Sequence, residues 1–300
     1  MFFGTFRRTS HKCFERLEEF EIVDKVTEIK ADLADYGSIQ TAIKQSEPDE
    51  IYNLGAQSFV GASFQQPILT SDITGLGVLR VLEGIRENVP DAKFYQASSS
   101  EMFGDYQGIK NEKSPFIPRS PYGAAKVFAH HMTNHYREAY DIFACCGILF
   151  NHESPLRGLE FVTRKITWSL AKIKLKTQEK LHLGNISAKR DWGFAGDYVE
   201  AMWMMLQQKT PDDYVIATGE SHSVEEFLTI ASEYAGLGDW HNFVEIDKSM
   251  MRPTDIKELV GDASKAKEKI GWSAKTSFEE LVKKMVDHDI EYHKSHPLSF

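Results

Sequence analysis

Tyr122 and Lys126 stand four residues apart in Ser120-Pro121-Tyr122-Gly123-Ala124-Ala125-Lys126. On a helix that spacing puts both side chains on one face. A lysine held beside a phenol favours the phenolate and lowers the tyrosine pKa from its ordinary value of about 10. Such a pair can take a proton from a substrate hydroxyl at neutral pH. Upstream runs Gln96-Ala97-Ser98-Ser99-Ser100-Glu101-Met102-Phe103-Gly104, an apolar run that ends in a hydroxyl cluster and one carboxylate. By itself Tyr-x-x-x-Lys fits an amphipathic helix with a tyrosine and a lysine at its edge. The Ser-Ser-Ser-Glu turn lies upstream at the distance of one strand, one loop and one helix start, and this favours proton-transfer chemistry.

The elements that must position these residues follow from periodicity. Short apolar runs alternate with longer helical patterns, which predicts an α/β fold with a parallel sheet. Strands are predicted at Val26–Ile29, Ile51–Leu54, Lys93–Gln96 and Phe143–Phe150, with helices at Tyr36–Gln45, Ser71–Glu87 and Pro121–Tyr140. Pro121 suits the first turn of the last helix, where a missing N–H is harmless. After Asn151 helical patterns dominate: Phe161–Leu175, Asp197–Gln207, Val224–Tyr234, Ala263–Ile270 and Phe278–Tyr292. Short strands at Leu181–Leu183 and Tyr214–Ala217 interrupt them. The expected division is a doubly wound, Rossmann-like domain over 1–150 and a smaller, mostly helical domain over 151–300. Segments around 190–220 are expected to return to the first domain. A doubly wound domain that binds a dinucleotide normally opens with a strand and a glycine-rich turn against the pyrophosphate. The sequence contains no such turn and starts where a second strand would end, so the first strand and turn are expected to be missing.

Composition narrows the function classes. The chain has 300 residues, 42% hydrophobic and 26% charged, as in ordinary globular proteins. A net charge of -9 argues against a general nucleic-acid or membrane-surface binder. Three cysteines, Cys13, Cys145 and Cys146, suggest no disulfide framework and fit a reducing, cytoplasmic setting. No apolar stretch is long enough to span a bilayer. His130-His131, His182 and His152-Glu153 lack metal-ligand spacing, so no metal is expected.

Several segments together carry a resemblance: Tyr52-Asn53-Leu54-Gly55-Ala56-Gln57-Ser58, the Gln96–Glu101 turn, Pro118-Arg119-Ser120-Pro121-Tyr122 and Gly147-Ile148-Leu149-Phe150-Asn151-His152-Glu153-Ser154-Pro155. Phe161-Val162-Thr163-Arg164-Lys165, Arg190-Asp191-Trp192-Gly193 and Arg252-Pro253 follow in order. Over essentially its whole length the chain resembles the extended short-chain dehydrogenase/reductase family. The resemblance implies an internal redox dehydration of GDP-mannose with bound NADP. C4 is oxidised, the C5 proton is removed, the C6 hydroxyl leaves as water, and the hydride returns to C6 to give GDP-4-keto-6-deoxymannose. It also implies a homo-oligomer, a tetramer, in which the Arg7–Cys13 loop meets a neighbour.

The same resemblance assigns roles. Tyr122 is the base for the C4 hydroxyl, and Lys126 holds the phenolate and the nicotinamide ribose. Glu101 is the C5 base and C6 proton donor, and Ser99 hydrogen-bonds the C4 oxygen. For NADP, Arg7 and Arg8 meet the 2′-phosphate, whose oxygens suit a guanidinium fork. Asp32 and Leu33 border the adenine. Leu54, Gly55, Ala56, Gln57 and Ser58 end a strand at the carboxyl edge of the sheet, where ligands bind in such folds. His152 and Arg157 complete the cofactor set. Asn151, Lys165, Arg190 and Arg252 match contacts to the nucleotide-sugar, and Ser63 is a further candidate. Leu69, Phe59, Phe194, Leu156 and Asp255 depart from the family pattern and bear on fine substrate geometry. Two other readings stay open: a nucleotide-sugar epimerase or reductase, and a catalytically silent nucleotide-sugar-binding subunit. Glu101 favours dehydration over simple reduction, whereas the absent glycine-rich turn favours silence.

Overall fold

The computed structural model describes residues 1–10, 14–251 and 253–296. Cys13 and Arg252 lie outside the described residues. In chain order come β1 (Phe2–Phe6), α1 (Glu15–Glu19), β2 (Val26–Lys30), α2 (Tyr36–Ser46), β3 (Glu50–Asn53), α3 (Val60–Gln65) and α4 (Pro67–Ser71). A π-helical turn at Asp72–Leu76 leads into α5 (Gly77–Asn88), then β4 (Lys93–Ser99), α6 (Pro121–Tyr140) and β5 (Ala144–Leu149). The rest runs β6 (Asn151–Glu153), α7 (Val162–Lys174), β7 (Leu181–Leu183), β8 (Lys189–Arg190), β9 (Trp192–Phe194), α8 (Ala195–Leu206) and β10 (Asp213–Ile216). It closes with β11 (His222–Ser223), α9 (Val224–Tyr234), β12 (Val244–Ile246), β13 (Glu258–Leu259), α10 (Ser264–Ile270) and α11 (Phe278–Ser295).

The chain divides into two compact units. The first comprises Met1–Ser98, Ser120–Gly147 and Met205–Asp213. Its parallel β1–β2 pair runs in register from Phe2 opposite Val26 to Phe6 opposite Lys30, and forms a sheet of its own. The larger sheet has the strand order β10-β5-β4-β3. Residues Phe94 to Ser99 of β4 and all of β5 are buried, the continuous burial of a parallel strand covered on both faces. Gly147 is required there: a Cβ would stand 2.2 Å from the Tyr95 hydroxyl. Ile39 and Ile43 of α2, Val78, Leu82 and Ile85 of α5, and Ala129 and Tyr136 of α6 share one core with Phe94. The helix expected at Ser71–Glu87 is broken by the π turn. At Asp72, Arg80 forms a 2.7 Å ion pair, and it also reaches the Leu33 carbonyl at 2.9 Å.

The second unit comprises Ser99–Arg119, Ile148–Met204 and Tyr214–Phe300. It comprises more residues than the first. The difference comes from Ser99–Arg119, a stretch expected within 1–150. That stretch is tied by Lys110, whose N–H donates to Val260 O at 3.0 Å and whose carbonyl accepts from Asp262 N at 2.8 Å. Glu112 accepts from Val215 N at 2.7 Å. Met205–Asp213 belongs to the first unit. The core of the second unit gathers Ile166 and Leu170 of α7, Phe227 and Leu228 of α9, Leu281 and Met285 of α11, and Trp192. Helices α9 and α11 each open on a reciprocal capping box, Ser223 with Glu226 and Ser277 with Glu280. Among the described residues no helix is long and apolar enough to cross a membrane.

Candidate active site

In the first unit α6 starts cleanly. Ser120 Oγ accepts from Gly123 N at 3.0 Å, and Pro121 fills the first turn. Tyr122 and Lys126 follow on one face, both buried. The ammonium lies 5.8 Å from the centre of the Tyr122 ring. It donates to Ala97 O, near the end of β4, at 2.6 Å. Burial pushes the Lys126 pKa down to about 8, against a smaller opposing pull from the Cys146 thiol. At neutral pH the side chain therefore stays charged, as the tyrosine chemistry needs.

One turn further along α6, His130 stands 3.0 Å from Ser98 Oγ through its Nδ1. Burial pushes its pKa down to about 4, so the ring is neutral at pH 7; Asp213 opposes the shift, while His131 and Arg137 add to it. His130, Cys146 and Asp213 present three ligand-type atoms within 4.8 Å of one another. Arg137 already pairs with Asp213 at 2.9 Å, and Asn134 donates to it at 3.0 Å. Burial alone would raise Asp213, but Arg137, His130 and Asn134 outweigh it and hold the carboxyl below its usual range. Sequence spacing missed this cluster because its members come from three separate segments; the only local signal was a histidine one turn beyond Lys126.

The cofactor candidates of the first unit sit after the parallel strands. Arg7 and Arg8 follow β1 and are exposed, and Asp32 and Leu33 follow β2. Leu54, Gly55, Ala56, Gln57 and Ser58 follow β3. A Cβ on Gly55 would stand 2.7 Å from Leu33 Cδ1, so glycine lets these two loops approach. Gln57 N donates to Thr74 Oγ1 at 3.1 Å, which ties the third loop to the π turn. Ser63 is fully buried and spends its hydroxyl on Val60 O at 2.7 Å.

The second unit holds the other candidates. Ser99 Oγ accepts from Glu101 N at 3.2 Å and so caps the short 3-10 turn Ser100–Met102. Glu101 is half-buried, while Met102 and Phe103 anchor the turn in the interior. Gly104 follows in the left-handed region at φ 52, where a Cβ would strike Ile117 O at 1.7 Å. The chain can turn there only with glycine. His152 Nδ1 donates to Phe150 O at 2.8 Å, since a carbonyl can only accept, and its ring stacks on Tyr198 at 5.1 Å. Arg157 lies 3.2 Å from Glu153 and over the Phe161 ring at 3.5 Å. Asn151 is half-buried on β6, opposite Trp192.

Lys165 on α7 is half-buried; burial lowers its pKa, against Asp247. Its ammonium reaches Met250 Sδ at 3.5 Å. Arg190 is buried, with Nη1 on Ile256 O at 2.8 Å and Nη2 on Asp255 Oδ1 at 3.1 Å. Next to it Asp191 is wholly buried and accepts from Thr218 N, Thr218 Oγ1, Gly219 N and Gly261 N. Asp191 thus ties three loops together, a role the motif around it did not reveal.

Comparison with known proteins follows the same lines. The family described as GDP-mannose 4,6 dehydratase matches residues 1–285. The chain is 54% identical to GDP-mannose 4,6 dehydratase 1 of Arabidopsis thaliana, over 97% of this chain and 83% of that protein. It is 47% identical to the GDP-mannose 4,6 dehydratase of Homo sapiens, over 89% of this chain and 77% of that protein. Among solved structures, DesIV, a dTDP-glucose 4,6-dehydratase from Streptomyces venezuelae with NAD and TYD bound, superposes with a TM-score of 0.85 at 18% identity, covering 98% of this chain and 88% of that one. RMD from Pseudomonas aeruginosa, complexed with NADPH, gives 0.80 at 19% identity, covering 96% and 99%. At these identities the structural likeness shows the fold alone, an α/β Rossmann-type fold.

Proposed function

The chain belongs to the GDP-mannose 4,6-dehydratase family, and on that premise we propose that it converts GDP-mannose to GDP-4-keto-6-deoxymannose and water by internal hydride transfer. The observation that carries this reading is the buried Tyr122–Lys126 pair on α6, in a chain that also sets Glu101 in a turn capped by Ser99. A simple reductase has no use for that carboxylate.

NADP, when bound, supplies a carbon that takes the C4 hydride and later returns it to C6. The loops after the first three strands suit its 2′-phosphate and adenine, while the sequence offers no glycine-rich turn for its pyrophosphate. Exposed Arg7 and Arg8 suit its 2′-phosphate, Leu33 and Leu54 offer apolar surface to the adenine, and Gly55 leaves room for close backbone approach. By family resemblance, His152 and Arg157 are further candidates to contact NADP. Lys126, fixed by Ala97 O, would stabilise the Tyr122 phenolate and hold the nicotinamide ribose. Tyr122 takes the C4 hydroxyl proton as the hydride departs, and Ser99 hydrogen-bonds the new carbonyl oxygen. That carbonyl makes C5–H acidic. Glu101 removes the proton and delivers it to the C6 hydroxyl, which leaves as water. Once C6 regains its hydride, C5 is reprotonated, and the proton held by Tyr122 closes the balance. Asn151, Lys165, Arg190 and Arg252 would bind the nucleotide-sugar, their cations offsetting its two phosphates. Arg190 would have to share its donors with Asp255, and Ser63 would have to give up its bond to Val60.

Incubation with GDP-mannose should yield the 4-keto-6-deoxy product with no net consumption of NADPH. Stoichiometric consumption would identify a reductase instead. The family resemblance further supports a homo-oligomer, a tetramer, which light scattering would contradict by a clean monomer mass. Two buried free thiols, Cys145 and Cys146, support work in the reducing cytoplasm, and recovery from an oxidising compartment on cell fractionation would refute it.

A further inference from the structure

We infer that His130 is a positioning residue for proton transfer at Tyr122, acting through Ser98 on the strand end whose Ala97 carbonyl aims Lys126. This rests on the reading of Tyr122 as the C4 base.

Tyr122, Lys126, His130 and Asn134 recur every four residues along α6 and therefore share a face. Successive turns of that face grip successive residues of β4. Lys126 Nζ holds Ala97 O at 2.6 Å, and His130 Nδ1 meets Ser98 Oγ at 3.0 Å. Lys126 carries a point charge on a flexible stem, so its aim depends on what fixes its acceptor. The Ala97 carbonyl belongs to the peptide that joins it to Ser98, and His130 pins the Ser98 side of that peptide.

The network also sets which nitrogen carries the proton. Arg137 Nη2 donates to Asn134 Oδ1 at 3.1 Å, which fixes the orientation of that amide. Asn134 Nδ2 then donates to Asp213 Oδ2 at 3.0 Å and stands 3.4 Å from His130 Nε2. A ring nitrogen that faces a donor must accept. The gap of 3.7 Å between Nε2 and Asp213 Oδ2 is too long for a hydrogen bond. Nδ1 therefore carries the hydrogen and donates to Ser98. Asp213 is in turn held by Arg137 at 2.9 Å and by the Cys146 N–H at 3.2 Å. A chain of oriented groups thus runs from Arg137 to the strand end beside Lys126.

Chemistry explains why a histidine does this. The groups facing it are the Cys146 thiol from β5, Asp213, Arg137, and His131 from its own helix. Burial keeps the imidazole neutral among them, so it supplies a directed donor without setting a second cation behind Lys126.

The test uses the purified full chain with GDP-mannose and reads kcat and KM against pH. His130→Ala should move the rising limb of the kcat profile up by about one pH unit, which at pH 7 is about a tenfold loss of kcat. KM should stay unchanged, and the loss should disappear toward high pH. His130→Asn, whose amide sets a donor near the Nδ1 position, should restore the limb. Ser98→Ala removes that oxygen, and with it the hydroxyl's contact to the Cys146 thiol, and keeps the question open to test if the histidine variant does not fold. It should shift the limb alike, and the double variant should add nothing further. A pH-independent loss in both single variants, with the limb unmoved, would overturn the inference and leave the cluster a purely structural one. Tyr122→Phe, run alongside, separates the two layers. Retained turnover there sinks the reading of the base, whereas lost turnover with an unmoved limb in the other variants sinks only the role of His130.

Discussion

Lys126 keeps an ammonium where burial works against it, and that tension can be measured. Its pKa falls from an ordinary 10.5 to about 8 on folding. Between those values the unfolded chain binds a proton that the folded one does not, so stability rises with pH across that window and is lowest below it. Against Lys126→Met, the wild type should gain up to about 3 kcal/mol between pH 8 and 10.5, read by urea unfolding. Parallel curves would show that the lysine is not desolvated. Glu101 offers a cleaner separation of chemical steps. Glu101→Gln keeps size and shape but cannot take the C5 proton. It should still reduce bound NADP on adding GDP-mannose, then stall before water is lost, with turnover down roughly 10²–10⁴-fold. The readouts are absorbance of the reduced nicotinamide and solvent deuterium uptake at C5. Wild-type dehydration and exchange in that variant would remove the carboxylate from the mechanism.

Helix ends show which parts of the fold could be read in advance. Ser277 and Glu280 cap α11 reciprocally, so Ser277→Ala should cost about 1 kcal/mol by denaturant unfolding, and an unchanged midpoint would mean that the exposed box contributes nothing. Such local chemistry is why α6 and α9 start and end where periodicity puts them, Pro121–Tyr140 and Val224–Tyr234. The buried strands were legible too, since runs such as Ala144–Leu149 carry no polar alternation. The π turn at Asp72–Leu76 was not, because helical periodicity barely changes across it. Nor was the allegiance of Ser99–Arg119, which rests on bonds from Lys110 and Glu112 to residues more than a hundred positions away. The site divides in the same way. Tyr122, Lys126 and Glu101 announce themselves by type and spacing. Ala97, His130 and Asp213 do not, and Ser98 shows only as one member of the hydroxyl cluster, because their partners come from distant segments and one acceptor is a backbone carbonyl.

At the scale of the whole molecule, each unit closes its own core, and the second adds a buried charge to its apolar contacts. Arg164 on α7 meets Asp289 on α11 through Nε at 2.9 Å and Nη2 at 2.8 Å, with Thr167 Oγ1 on the same carboxylate at 2.6 Å. The other arm of that guanidinium donates to Pro155 O and, at 3.1 Å, to Arg157 O. One side chain thus joins two helices and also shapes the loop that carries Arg157, a proposed cofactor contact. The two duties can be separated. Asp289→Ala leaves the cation buried and unpaired, and should cost about 3–5 kcal/mol. Replacing both partners, Arg164→Met with Asp289→Leu, removes the pair and fills its volume, so most of that stability should return. The loop bonds do not return with it. The double variant should therefore unfold near the wild-type urea midpoint, yet bind NADP about tenfold more weakly, the worth of one lost hydrogen bond. Calorimetric titration with NADP checks this, and an unchanged affinity would mean that Arg164 serves the helices alone and that the loop holds its shape without it.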